Sequence, residues 1–381
     1  MANTVLQDAL ATQNEAGIRP VVVRPTEVRE YRGANVAARF GDPQNEYLAL
    51  LNGCGIYDLG FRAQLSITGG DRVRWMNGMV TNNIRDLAVG HGAYAFLLNP
   101  QGRILGDMHV YNRAESLLVE TDRNQVEKVV ATFDHFIIMD DVEVSDISES
   151  QNVLGLAGPR SRELLNLAGI AVPEMQPLQM LAAKCDCDCA CMQCTVVRGE
   201  DAARESYEVW LDPKDVYKTW QALIAAGATP VGSEALEMQR VAAGIPLYGV
   251  DIRERDLPQE TEQMRALNFN KGCYVGQEIV ERIRSRGNVH RKFTGFLAEG
   301  VADISPGAAI LSAEKEVGEI TSVAVLRDGA NERTVALGYI RREVGMPGRE
   351  ITIAGKKATV ILFSPEDGAL RRAHDSVLHN V

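Results

Sequence analysis

A short apolar strand followed by an aspartate and an amphipathic helix occurs twice along the chain. Residues 117–133 read LLVETDRNQVEKVVATF, and residues 207–223 read YEVWLDPKDVYKTWQAL. Asp122 and Asp212 occupy equivalent positions, where an aspartate side chain can accept a hydrogen bond from a backbone N–H of the first helical turn. Pro213 suits the first helical position because its missing N–H costs little there. The pattern predicts two related α+β subdomains.

Further strand patterns come before each copy and dominate the end of the chain. Residues 64–68 lead into a helix at about 71–79, and residues 153–157 lead into a helix at about 161–167. From about Lys292 onward the sequence pattern changes: apolar strand segments alternate with Gly-rich turns. The strands predicted there cover residues 293–298, 316–325, 334–340 and 358–363. They indicate a small antiparallel barrel or sandwich as the last domain.

Composition narrows the class of protein. The chain has 381 residues, too many for one ordinary core, and its 45% hydrophobic and 24% charged residues are typical of globular proteins. No apolar run is long enough to span a bilayer, and residues 1–15 lack the pattern of a secretory signal. We therefore expect a cytoplasmic protein without membrane contact. The formal net charge of −11 disfavours stable contact with nucleic acid.

Five of the seven cysteines lie within ten residues, at Cys185, Cys187, Cys189, Cys191 and Cys194. Period-two spacing on a strand places the first four thiols on one face, and the last two form a C-x-x-C pair. Such thiols could bind zinc or copper(I). A second C-x-x-C pair at the usual distance is missing, so tolerated cysteines in a variable strand and turn are slightly favoured. We predict no metal site, and a disulfide framework is not expected in a reducing compartment.

Two carboxylates stand out within strand patterns. Residues 94–110 read as a strand, a turn at Gly102 and a second strand, in which Asp107 interrupts an apolar segment. An isolated carboxylate there is costly unless it is paired or functional. Glu208 lies on the strand face opposite Tyr207, Val209 and Leu211. A carboxylate in that position can accept both hydrogen bonds from the amide-like N–H and the adjacent amino group of a pterin ring.

A helix and loop at residues 237–249, EMQRVAAGIPLYG, supply two further candidates. Arg240 lies on a helix that ends at Gly244 and Pro246, and its guanidinium can bind a carboxylate with two parallel hydrogen bonds. Tyr248 follows in the loop. Taken singly, an ordinary ion pair and a core tyrosine explain these residues more simply.

The most specific string in the chain is NKGCYVGQE at residues 270–278. Gly272 and Gly276 suggest a tight loop around Cys273, and residues 277–286 read as a helix. The thiol is therefore expected just before a helix N-terminus and beside Lys271. Both positive groups favour the thiolate form, which is the reactive form of cysteine.

The segment KGCYVGQE resembles the signature of the YgfZ-type folate-binding proteins, which are linked to iron–sulphur cluster maintenance and to cluster-dependent tRNA modification. The wider chain, about residues 50–345, resembles the superfamily that these proteins share with the glycine-cleavage aminomethyltransferase. The segments that carry this resemblance are VTNNIRDL at 80–87, LNPQGRILGD at 98–107, LAGPRSREL at 156–164 and QRVAAGIPLYG at 239–249.

The resemblance implies an α+β fold with three domains in a cloverleaf and tetrahydrofolate in a central channel. The domains are then a first α+β folate-binding subdomain at 1–145, a second one with the cysteine loop at 146–290, and a C-terminal antiparallel β-barrel at 291–381.

The resemblance also assigns roles to single residues. Asp107 matches the acidic residue beside the folate nitrogens, and Glu208 matches the carboxylate that binds the pterin. Arg240 matches an arginine of the folate pocket, and Tyr94 and Tyr248 match tyrosines that line the channel. We predict three catalytic residues: Cys273, the neighbouring Lys271, and Asp107.

Departures from the transferase pattern separate the functional hypotheses. Gly106 and Asp107 stand where the transferase has paired acids, Ala242 stands where it has a glutamate, and the cysteine motif is not a transferase feature. The leading hypothesis is a tetrahydrofolate-binding accessory protein for iron–sulphur cluster assembly or repair, with client or assembly proteins as partners. The alternatives are a folate-dependent aminomethyltransferase or demethylase, and a soft-metal protein that works through Cys185 to Cys194.

Overall fold

The structure, a computed structural model, describes residues 2–12, 23–185, 192–287, 289–328 and 331–363. The chain divides into two compact units. The first comprises Met1–Asn77, Asn83–Tyr94 and Met108–Leu236, and the second comprises Gly78–Asn82, Ala95–Asp107 and Glu237–Val381. The predicted domain limits at 145/146 and 290/291 stay a prediction.

Helices and strands alternate irregularly, as expected for an α+β protein. The helices are α1 Val5–Thr12, α2 Pro43–Asn52, α3 Arg72–Met79, α4 Val126–Phe136, α5 Ser161–Leu167, α6 Val216–Ala225, α7 Ser233–Ala242 and α8 Gln277–Arg286. The strands up to residue 230 are β1 Glu27–Tyr31, β2 Ala34–Arg39, β3 Gly55–Asp58, β4 Arg62–Thr68, β5 Gly92–Leu98, β6 Ile104–Asn112, β7 Leu117–Asp122, β8 Glu143–Asp146, β9 Asn152–Ala157, β10 Met180–Cys185, β11 Met192–Arg198, β12 Ser206–Leu211 and β13 Thr229–Pro230. The later strands are β14 Arg291–Glu299, β15 Ala309–Ser312, β16 Lys315–Asp328, β17 Asn331–Arg341, β18 Glu350–Ile353 and β19 Lys356–Ile361.

A six-stranded and a five-stranded sheet contain the two copies of the repeated pattern. One has the strand order β10-β11-β12-β9-β3-β13 and the other has the order β5-β6-β7-β4-β8. In the first copy β7 is followed by a 3-10 turn, Arg123–Gln125, and then by α4. In the second copy β12 is followed by the 3-10 turn Pro213–Asp215 and then by α6. The predicted succession of strand, aspartate and helix is therefore confirmed in both copies.

The two aspartates of the repeat differ in role. The Asp212 side chain accepts a hydrogen bond from Lys214 N at 3.1 Å, as predicted for a helix start. Asp122 makes no such bond. Its carboxylate lies 3.5 Å from the guanidinium groups of both Arg62 and Arg32. The capping prediction for Asp122 is therefore wrong, because two nearby cations hold the carboxylate away from the helix start.

Strand β12 separates two apolar clusters of the first unit. Tyr207, Val209 and Leu211 pack into one cluster with Trp220 of α6. Trp210 belongs to another cluster, whose members come from both sheets: Leu118, Tyr111, Val153 and Val197 are among them. The predicted alternation along β12 is confirmed, since neighbouring residues face different cores.

The C-terminal strands close into an antiparallel barrel with the order β14-β17-β16-β15-β18-β19, which confirms the predicted barrel. Its interior is lined by apolar side chains from every side, including Phe296, Ile310, Ile320, Ile340 and Ile353. The four predicted strands are present as β14, β16, β17 and β19. Two strands of four residues each, β15 and β18, had not been predicted.

Candidate functional site

The seven candidate residues are distributed over both units. The first unit contains Tyr94 and Glu208, and the second contains Asp107, Arg240, Tyr248, Lys271 and Cys273. Each unit therefore presents its own set of candidate groups.

In the first unit, Glu208 is a half-buried carboxylate on β12. Its Oε2 accepts a hydrogen bond of 3.0 Å from the indole Nε1 of Trp210. Residues two positions apart on a strand share a face, which explains why these two side chains meet. Trp210 is almost fully buried, so its indole holds the Glu208 carboxylate in one place.

An aromatic row joins Tyr94 to the Glu208 region. The ring centroids of Tyr94 and His109 are 5.2 Å apart, and those of His109 and Tyr111 are 6.1 Å apart in a stacked arrangement. Tyr111 then meets Trp210 edge-on at 5.1 Å. The two candidate residues of this unit therefore lie along one series of rings, in which Tyr94, Tyr111 and Trp210 are buried and His109 is half-buried.

A second carboxylate, Glu120 on β7, lies close to Glu208 and is completely buried. Burial, followed by the charge of Glu208, raises the pKa of Glu120 well above its usual range. The nearest described cation is Arg62, whose Nη1 lies 3.9 Å from Glu120 Oε2. Glu120 was not among the predicted site residues, although it is a carboxylate that interrupts an apolar strand, LLVETD, as Asp107 does.

The Arg62 guanidinium is held by acids on neighbouring positions. Burial works against its charge, but the carboxylates of Glu120 and Asp122 raise the pKa of Arg62 above its usual value. Strand register explains the arrangement, because Arg62 on β4 faces Asp122 on β7 and Gln64 faces Glu120. This part of the sheet is a buried polar region within an otherwise apolar layer.

In the second unit, Asp107 and Tyr248 are electrostatic neighbours. The Tyr248 hydroxyl donates a hydrogen bond of 2.6 Å to the carbonyl of Leu105, two residues before Asp107 on β6. Burial, followed by the charge of Asp107, raises the pKa of Tyr248 well above its usual value. The hydroxyl therefore stays protonated beside a half-buried carboxylate.

The Arg240 guanidinium is buried among partners of its own unit. Nη1 donates to Asp251 Oδ2 at 2.7 Å, Nη2 donates to Ser322 Oγ at 2.9 Å, and Nε donates to Glu237 at 2.7 Å. These contacts join α7 to the loop at Asp251 and to barrel strand β16. The role of Arg240 in binding a ligand stays a prediction.

Residues 271–276 of the string KGCYVGQE form the loop before α8, as predicted, and Cys273 is exposed in it. The Lys271 ammonium donates to the carbonyls of Val80 and Asn82 at 2.6 and 2.5 Å. It also lies 5.1 Å from the ring centroid of Tyr274. Lys271 therefore fastens the loop to the segment at residues 80–82, and its predicted influence on the thiol stays a prediction.

Two glycines allow the loop to pack closely on the β5–β6 turn. Gly276 has φ +82, and a Cβ atom there would lie 2.6 Å from the Asn99 carbonyl oxygen. Gly102 has φ +71, and a Cβ atom there would lie 2.9 Å from the Ile279 side chain. Both positions combine a left-handed backbone with no space for a side chain, so glycine is required on each surface.

Comparison with known proteins decides the family. The model of the GCVT N-terminal domain matches residues 22–271, well over half of the chain. The protein belongs to the GCVT family. A chloroplastic protein of Arabidopsis thaliana, named provisionally as a transferase, is 25% identical over 84% of this chain and 72% of its own length. The aminomethyltransferase of Rubrobacter xylanophilus is 28% identical over 82% of this chain and 83% of its own length.

A solved structure supports the fold of this GCVT-family protein. The glycine cleavage system aminomethyltransferase T from Bartonella henselae superposes with a TM-score of 0.79 at 20% identity, covering 91% of this chain and 95% of that chain. The predicted fold class, the α+β type of the aminomethyltransferases with a C-terminal barrel, is thereby confirmed.

The range matched by the family model includes six of the seven candidate residues and ends at Lys271, before Cys273. The resemblance to the YgfZ type rests on the cysteine loop, most of which lies beyond the matched range, and it stays a prediction. Cys187, Cys189 and Cys191 lie outside the described residues, and Cys194 is buried.

The described residues contain no group of three or more His, Cys, Asp or Glu side chains placed to bind a metal ion. Their helices also include none that is both long and apolar enough to cross a membrane.

Proposed function

We propose that this GCVT-family protein binds tetrahydrofolate and that Glu208 is the acceptor for the pterin ring. The observation that carries the proposal is the half-buried Glu208 carboxylate, fixed by Trp210 at 3.0 Å at the end of an aromatic row. A carboxylate can accept hydrogen bonds from two adjacent N–H groups with charge-assisted strength. These residues fit the chemistry of a pterin, which is a flat ring with an amide-like N–H beside an amino group.

The proposed role is that of a cytoplasmic accessory protein for iron–sulphur cluster assembly or repair and for cluster-dependent tRNA modification. Support comes from the Cys273 thiol, which is exposed on a loop that close glycine contacts and the Lys271 hydrogen bonds hold in place. An exposed thiol on a fixed loop can reach a cluster or a client protein. Iron–sulphur clients or assembly proteins are the partners that this role requires.

Replacing Glu208 with glutamine is expected to weaken tetrahydrofolate binding by about 1.5–3 kcal/mol, because the substitution removes the charge that strengthens the hydrogen bonds to the pterin. Isothermal titration calorimetry measures the dissociation constant directly. Glu205→Gln is the matched control, since Glu205 lies just before the same strand and accepts a hydrogen bond from Tyr207 at 3.0 Å. Equal affinities for the wild type and Glu208→Gln would remove Glu208 from the site.

A second candidate function is a folate-dependent aminomethyltransferase or demethylase. The half-buried Asp107 beside the protonated Tyr248 favours it, because a carboxylate in such a place can position or accept a proton. Relatives named as aminomethyltransferases add support, whereas Ala242 and Gly106 depart from the transferase pattern.

Asp107→Asn tests that candidate. The variant is expected to keep its fold, because the side chain keeps its size, and to handle the ligand differently: any transfer of a one-carbon unit to tetrahydrofolate should be lost. The measurement is the formation of methylenetetrahydrofolate from an aminomethyl donor, with release of ammonia, and thermal unfolding of the variant is recorded in parallel. A variant that only loses thermal stability would give Asp107 a structural role.

A further inference from the structure

Glu120 and Glu208 come together from different sheets of the first unit. Glu120 lies on β7 and Glu208 on β12, and residues of both strands, Leu118 and Trp210, share one apolar cluster. The two carboxyl groups are close enough to hydrogen-bond if one of them carries a proton. Glu120 is wholly buried, whereas Glu208 is half-buried.

The cations near Glu120 are too few to neutralise the carboxylates of this region. The carboxylates here are Asp122, Glu120 and Glu208, and the cations that form ion pairs with them among the described residues are Arg62 and Arg32. Arg113 lies nearby, 5.9 Å from the centroid of the Trp210 ring, but forms no ion pair with these three carboxylates. Both guanidinium groups lie nearer to Asp122, at 3.5 Å, than Arg62 lies to Glu120, at 3.9 Å. Both cations therefore interact mainly with Asp122. Of the two other carboxyl groups, Glu120 and Glu208, one lacks a cation to neutralise it.

Other titratable groups that face this region do not supply the missing charge. His109 on β6 is the register partner of Glu120, but its Nε2 lies 3.5 Å from Glu200 and pairs with that carboxylate. Tyr111 on β6 and Tyr57 on β3 are neutral donors, because burial and then the charge of Glu208 raise the pKa of each hydroxyl well above its usual value.

The hydrogen bonds around Glu120, like the charges, favour a protonated carboxyl group. Neither Glu120 oxygen accepts a hydrogen bond from any donor in the described part of the chain, and the amide of Gln64, its register partner, is likewise unmatched there. A buried carboxylate without donors is very unfavourable. A protonated Glu120 resolves this, because its O–H can donate to Glu208, which also accepts the hydrogen bond from Trp210.

We propose that Glu120 is a neutral carboxylic acid that donates a hydrogen bond to Glu208 and thereby positions the Glu208 carboxylate for the pterin. This proposal rests on the proposed function, in which Glu208 accepts the hydrogen bonds of the ligand. Glu120 touches no ligand itself and is a positioning residue. Short hydrogen bonds from a carboxylic acid to a carboxylate are among the strong ones in proteins.

The proposal sets the pH dependence of binding. In this arrangement the buried Glu120, whose oxygens have no donor among the described residues, holds the proton at neutral pH, in agreement with the raised direction of its pKa. As the pH rises through that pKa, the proton is lost, two carboxylates repel each other and Glu208 loses its donor. Folate affinity is therefore expected to fall with rising pH in the wild type by more than the titration of the ligand alone produces.

Glu120→Gln and Glu120→Leu form the test by calorimetry across a pH series. The glutamine amide can still donate to Glu208, so Glu120→Gln should match the wild type at neutral pH and lose the additional fall at high pH. Leucine removes the donor, so Glu120→Leu should bind about tenfold more weakly or worse at neutral pH. The titration of the ligand is common to all three proteins and cancels in the affinity ratios.

Infrared spectroscopy tests the proton without any ligand. The wild type at neutral pH should show a carbonyl-stretch band of a protonated carboxyl group that Glu120→Gln lacks and that disappears from the wild type at high pH. Absence of that band, or parallel pH profiles of the wild type and Glu120→Gln, overturns the proposal. If the wild type binds no tetrahydrofolate, the proposed function fails, and the infrared band still decides the protonation of Glu120.

Discussion

Asp251→Ala is expected to lower the free energy of unfolding of the second unit by about 3–5 kcal/mol, the range for removing one partner of a buried ion pair. Asp251 is completely buried, and the Arg240 side chain that it binds is only 8% exposed. Removal of the carboxylate therefore leaves a buried guanidinium without its main counter-charge.

The loss is large because Asp251 has four partners. Its Oδ2 accepts hydrogen bonds from Arg240 at 2.7 Å and from Leu247 N at 2.9 Å. Its Oδ1 accepts hydrogen bonds from Ser322, at 2.8 Å, and from Thr321. The variant consequently disconnects α7 and the loop before Asp251 from barrel strand β16.

Glu237→Ala is the matched control, since Glu237 binds the same guanidinium from a side chain that is 33% exposed. Water can replace that carboxylate, so the control should lose only about 1 kcal/mol or less. Urea unfolding followed by circular dichroism gives both values. The three tryptophans, Trp75, Trp210 and Trp220, lie in the first unit, so their fluorescence follows that unit separately. Equal losses in the two variants would contradict the prediction.

Local patterns were sufficient to predict much of the fold. The strand, aspartate and helix of each repeat lie within about twenty residues, and the barrel strands β14, β16, β17 and β19 are separated by Gly-rich turns. Strands β15 and β18 have four residues each, too few for a period-two pattern to be distinct from a loop. They were not predicted because they are recognisable as strands only by their hydrogen bonds to partner strands, and not by their own sequences.

The candidate site shows the same limit at the level of side chains. The face of Glu208 followed from alternation along one strand. The pairing of Glu208 with Glu120 brings together two different sheets, which no local pattern reveals. Asp122 was predicted as a helix cap because that role depends on neighbouring residues only. Its carboxylate instead lies beside the guanidinium groups of Arg62 and Arg32, which are distant in sequence. The partners of Arg240 at positions 251 and 322 are likewise distant in sequence.

Cys273→Ser is expected to abolish support of cluster-dependent enzymes in a deletion strain while folate affinity stays at the wild-type value. The exposed thiol is the only sulphur that the variant changes, and a serine hydroxyl has nearly the same size but cannot act as a thiolate. Glu208, the proposed pterin acceptor, lies on a different segment of the chain, so calorimetry should show unchanged binding of tetrahydrofolate.

Cys54→Ser is the control, because burial raises the pKa of the Cys54 thiol and the residue lies in the core of the first unit. That variant should keep full activity in the deletion strain if it folds. Iodoacetamide labelling read by peptide mass spectrometry should modify Cys273 before Cys54, since only the former of these two thiols is exposed. A fully active serine variant at position 273, or a thiol there that labels only in strong alkali, would contradict the accessory role. Folate binding through Glu208 would then remain as the proposed function, and the one-carbon transferase with Asp107 would become the leading account of the chemistry.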